Sequence, residues 1–115
     1  MKTKLLIPLL LALAVSGCQK QQAEDTQSNE SMTAQFQKSD AMIGAYLDKL
    51  DDPATAQAER TKILCQDYPA EYKSNYMPAL LKLQPQDYTE SKLLNDLQMA
   101  LDYYKDKFDI HCSPN

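Results

Sequence analysis

Cys18, Cys65, Cys112 and the lone His111 have the widest chemical reach in this 115-residue chain. Thiolates and imidazoles act as nucleophiles, bases and metal ligands, so their spacing decides what they can do. Cys65, Cys112 and His111 lack the two spaced ligand pairs of a zinc site, and no fourth ligand suggests itself. No C-x-x-C pair is present for dithiol redox work. Any Ser-His-Asp or Cys-His mechanism must use His111, which lies four residues from the chain end. A base that works by geometry needs a more rigid seat than that. Asp51-Asp52 offers two carboxylates of the kind that cleave glycosides, but the same pair followed by Pro53 fits a helix start. With two glycines in the chain there is no phosphate-cradling loop. No catalytic residues, no metal site, no cofactor and no small-molecule substrate are expected.

The charge balance excludes another class. Lys2 and Lys4 lie in an N-terminal leader, and from Cys18 onward 10 basic side chains face 16 acidic ones, a formal charge of −6. Binding to a nucleic-acid backbone needs clustered Lys and Arg, so no nucleic-acid partner is expected.

The leader consists of Lys2 and Lys4, then an apolar run from Leu5 to Val15 broken only by Pro8, then Val15-Ser16-Gly17-Cys18. As a helix the run would cover about 16 Å, roughly half a bilayer core. It reads as a secretion signal rather than a permanent span. Its ending resembles the lipobox of bacterial lipoproteins. In that family a diacylglycerol is attached to the cysteine, the leader is cut before it, and the new amine is acylated. The resemblance implies that residues 1–17 are removed and that Cys18 carries the covalent lipid, with palmitate as the acyl group. Small Ser16 and Gly17 suit the cleavage, while Val15 stands where Leu is commoner. Gln19 rather than Asp after the cysteine implies export to the outer membrane, facing the periplasm. Several acyl chains hold firmly where one holds marginally, because each buried methylene contributes about 0.8 kcal/mol.

With Cys18 lipidated, Cys65 and Cys112 remain as an even number in an oxidising compartment, and a disulfide between them is expected. The bridge would tie the chain end back onto the middle of a small domain, a scaffold size that commonly needs such a staple.

Residues 18–31, CQKQQAEDTQSNES, carry no large apolar side chain and read as a disordered tether with a reach of about 20 Å. Residues 32–115 form the domain, in which an all-α bundle of about four helices is expected. Met32, Phe36, Ile43, Leu47 and Leu50 share one face of a first helix, with Met42 and Tyr46 flanking it. Asp52 is the expected N-cap and Pro53 the first residue of a second helix ending near Pro69. Tyr68, Tyr72, Tyr76, Leu80 and Leu83 repeat every three or four residues, but Pro78 interrupts them and predicts a kink or break near Met77. Asp87 to Glu90 has the spacing of a capping box. Leu93, Leu97, Leu101, Tyr104 and Phe108 then mark the stripe of a final helix over 88–108, and no strand pattern occurs.

Tyr68, Tyr72 and Tyr76 suit either a core edge or a binding surface, since a rigid ring carries a polar tip. Met42, Met77 and Met99 are read as gap-fillers of the core. Together these features predict a non-enzymatic outer-membrane lipoprotein, held by its lipid, whose helical domain binds another envelope protein. In architecture it resembles secretin pilotins, small lipoproteins with a disulfide-stabilised helical domain, and its acidity resembles that of periplasmic immunity proteins. Cys65-Gln66-Asp67-Tyr68, with the second cysteine 47 positions later, resembles the acid-activated periplasmic chaperones. A stress chaperone is therefore the alternative, with a metal-binding envelope protein behind it.

Overall fold

A computed structural model describes the backbone of residues 17–113 and the side chains of residues 29–113. The leader therefore lies outside the described residues, as does the side chain of Cys18. Three helical rods form the fold, with no strand among the described residues. Helix α1 is Gly17–Asp51 and helix α3 is Glu90–Phe108. Between them, α2 is one uninterrupted rod made of Gln57–Lys62, Ile63–Asp67, Tyr68–Glu71, Tyr72–Tyr76 and Met77–Leu83. Among the described residues no helix is long and apolar enough to cross a membrane.

The fold is all-α, but with three rods where about four were expected. The reason lies at the prolines. Pro lacks an amide N–H, and its ring presses on the carbonyl four residues back, so Pro69 and Pro78 should each break a regular helix. Instead the turn before each one widens into a π-turn, Ile63–Asp67 and Tyr72–Tyr76. Tyr68 N–H donates to Ile63 O and Met77 N–H to Tyr72 O, each five residues back. Tyr68 and Met77 keep right-handed helical angles although each precedes a proline. The two proline sites repeat at nine-residue spacing; the chain does not break near Met77, and the irregularity expected there takes the form of the π-turn Tyr72–Tyr76.

The helix ends also differ from expectation. Asp52 caps no helix; its Oδ1 accepts from Ala54 N–H at 2.9 Å and shapes a turn, and α2 starts only at Gln57. Thr89, not Asp87, caps α3, accepting from Lys92 N–H at 3.1 Å. In α1 the backbone is helical from Gly17, through the segment read as a disordered tether. Gln, Ala, Lys and Glu are good helix formers, and extending a helix already nucleated by packed residues costs little.

The core draws on every rod. Ile43 and Leu50 of α1 meet Ile63, Leu64, Tyr68, Tyr72, Met77 and Leu80 of α2, and Leu93, Leu97 and Leu101 of α3. Burying each such side chain stabilises the fold by about 1.5–3 kcal/mol relative to leaving it wet. After α3, Asp109 takes a left-handed conformation (φ 55°), and Ile110 N–H donates to Lys105 O at 2.9 Å. This is a Schellman turn, and it returns the chain so that Ile110 is buried. Cys112 then reaches Cys65 and the two form a disulfide, with Cα atoms 5.5 Å apart. Cys65 itself lies in the first π-turn.

Candidate functional site

The tyrosines offered as a possible interface are mostly core. Tyr68 and Tyr72 are buried, and Tyr76 is half-buried with its ring 5.2 Å from Phe36 of α1. Tyr72 carries the tie between rods: its hydroxyl donates to Leu93 O of α3 at 2.8 Å. Burial raises the phenol pKa of Tyr68, Tyr72 and Tyr76, because the phenolate is the form that loses water. Packing turns Tyr68 and Tyr72 inward, and Tyr76 keeps part of its surface open.

His111 and the carboxylates are solvated. The His111 side chain is 88% exposed, and its nearest partner, Asp109 Oδ1, is also in water at 3.2 Å. Asp51 accepts from Tyr104 Oη at 3.1 Å, and burial together with that bond pushes the Tyr104 pKa up to about 12. Asp51 thus ties the end of α1 to α3, while Asp52 shapes the turn between α1 and α2. Among the described residues no group of three His, Cys, Asp or Glu side chains could hold a metal ion. Of the methionines read as core, Met77 is buried, but Met42 is 36% and Met99 63% exposed.

What the packing leaves open is the seam between α1 and α2. Near the α1–α2 loop, Ala45, Tyr46 and Lys49 face Ala58, Glu59, Lys62, Ile63 and Asp67 across a groove of about 500 Å³. Further along the same antiparallel pair, Ala34, Gln35, Lys38, Ser39 and Met42 face Glu71 and Asn75 across about 550 Å³. The α1 residues recur at three- and four-residue steps, so both hollows lie along one helix face. No residue of α3 lines either of them.

Polar contacts frame the seam. Lys49 Nζ meets Glu59 Oε1 at 2.6 Å and bridges the two helices at the loop end. That bond raises the Lys49 pKa. Gln35 Nε2 donates to Asn75 O at 3.0 Å at the other end, and Asn75 Nδ2 donates to Glu71 Oε2. Burial and the nearby Asp67 and Glu71 carboxylates raise the Tyr46 pKa. Ser39 is buried on the groove floor, and its Oγ has no hydrogen-bond partner among the described residues. Sequence reasoning missed this site. Its signal was Met42 and Tyr46 flanking the core stripe, a second apolar edge that one packed face did not need.

The chain matches no known protein family, no curated protein and no solved structure.

Proposed function

We propose that the protein is a non-enzymatic outer-membrane lipoprotein whose helical domain is an adaptor for another envelope protein. Cys18 carries the lipid that holds it at the membrane. The observation that carries the reading is the pairing of two features: the Val15-Ser16-Gly17-Cys18 ending of the leader, and a bridged bundle whose α1–α2 seam is left uncovered. The Cys65–Cys112 bond supports a compartment that oxidises thiols. A seam with mixed charge and small side chains suits holding a protein surface better than converting a small molecule.

The test is chemical cross-linking of the tagged protein in intact envelopes, paired with fractionation. The adaptor reading expects one dominant protein attached in stoichiometric amount at neutral pH. Protection of many aggregating clients only at low pH would replace it with a chaperone. Cys18→Ser is expected to release the protein from the membrane fraction, and a variant still processed and membrane-bound would overturn the anchor.

A further inference from the structure

We infer that the α1–α2 seam seats an amphipathic helix of the partner protein, about four turns long. Its acidic edge lies along Lys38 and its basic edge along Glu71. This rests on the adaptor reading and names the chemistry of its partner.

Length sets the first limit. From Ala34 to Lys49 the seam spans 16 residues of α1, about 22 Å, and it runs beside a second helix throughout. A rod of matching length lies naturally on such a pair, in the position a fourth helix takes in a four-helix bundle. Its floor is low where Ala34, Ala45 and Ala58 stand, so another backbone can approach closely. Met42 supplies a flexible apolar contact midway.

Charge sets the orientation. Lys38 on the α1 wall makes no ion pair among the described residues, and Glu71 on the α2 wall holds only the Asn75 amide. Opposite walls with opposite free charges select a helix with opposite edges and disfavour the reversed one. The Lys49–Glu59 bridge marks the end at which the occupant stops.

Other occupants fit less well. Residues 18–31 of this chain contain no large apolar side chain to fill the floor. A second copy could offer the exposed Met99 and Tyr103 of α3, but that contact is head-to-tail and leaves one seam empty in any open chain of copies.

The experiment places a photo-reactive phenylalanine analogue at Ala45 in one full-length protein and at Tyr103 in another. Both are irradiated in intact envelopes, and the adducts are mapped by mass spectrometry. The Ala45 probe is expected to attach to an amphipathic helical segment of one partner, with acidic and basic edges as stated. Lys38→Glu should cut that yield at least fivefold, and reversing the facing acidic residue of the partner should restore it. Adducts from Tyr103 alone would overturn the seam and leave the adaptor reading standing. Attachment of Ala45 to another copy of this chain, to an extended segment or to lipid would also overturn it. No adduct from either position would remove both the seam and the adaptor.

Discussion

Replacing Cys65 and Cys112 together by alanine opens a loop that contains most of α2 and all of α3. The two positions are 47 residues apart, and for a loop of that length the chain-entropy relation gives about 4 kcal/mol of stabilisation. Domains of this size have total stabilities of about 5–15 kcal/mol, so the loss should be a large share of the whole. At roughly 4–8 °C per kcal/mol, Tm should fall by about 16–32 °C. The native contacts should survive, because the bridge acts mainly on the unfolded chain. Ile110 keeps its Schellman turn, and the three rods keep their buried faces. Urea unfolding followed by far-ultraviolet circular dichroism, on the bridged protein and the double variant, reads this directly. With an m value of about 1–2 kcal/mol/M, the midpoint should drop by roughly 2–4 M while native ellipticity is retained. A loss below about 1 kcal/mol at unchanged m would refute the loop-closure argument.

Four further outcomes are expected from the same unfolding assay. Asp109→Gly should stabilise by about 0.5–1 kcal/mol, since a non-glycine residue stands in the left-handed position and adds a negative charge at a helix C-terminus. The exposed His111 contact it loses is worth little. Gly44→Ala should stabilise by about 0.5–1 kcal/mol, because the added methyl meets nothing within 4 Å inside α1. Tyr72→Phe should destabilise by about 0.5–1.5 kcal/mol, keeping the ring and losing only the bond to Leu93 O. The folded pKa of Tyr104 is raised to about 12 from an ordinary 10, and that of Tyr72 is raised as well. Their neutral forms therefore favour the fold fully below pH 10, and that contribution should be lost as pH climbs through 12. Tyrosinate absorbance recorded beside ellipticity checks the coincidence.

The final helix was legible because Leu93, Leu97 and Leu101 repeat every four residues within a 19-residue segment that holds no proline, and periodicity decides such segments. The stripe of α1 was legible for the same reason. The middle rod was not. Pro78 signals a break under local rules, and only packing of Tyr72, Met77 and Leu80 against both neighbours makes a widened turn the cheaper solution. The Tyr68 to Tyr76 stripe could not be assigned to core or surface from spacing, because a buried and a docking helix face share one period. The disulfide followed from pairing two cysteines once the third was assigned to lipid. The α1–α2 seam is an absence of packing, and a pattern of apolar residues records what is covered rather than what is left open.

Intact-mass spectrometry of the mature protein purified from membranes, before and after thiol alkylation without reductant, tests the central claim most directly. The account predicts a chain beginning at Cys18, heavier by a diacylglycerol and an acyl group, with Cys65 and Cys112 inert to the alkylating reagent. A soluble chain retaining its leader, with three sulfhydryls modified, would contradict it.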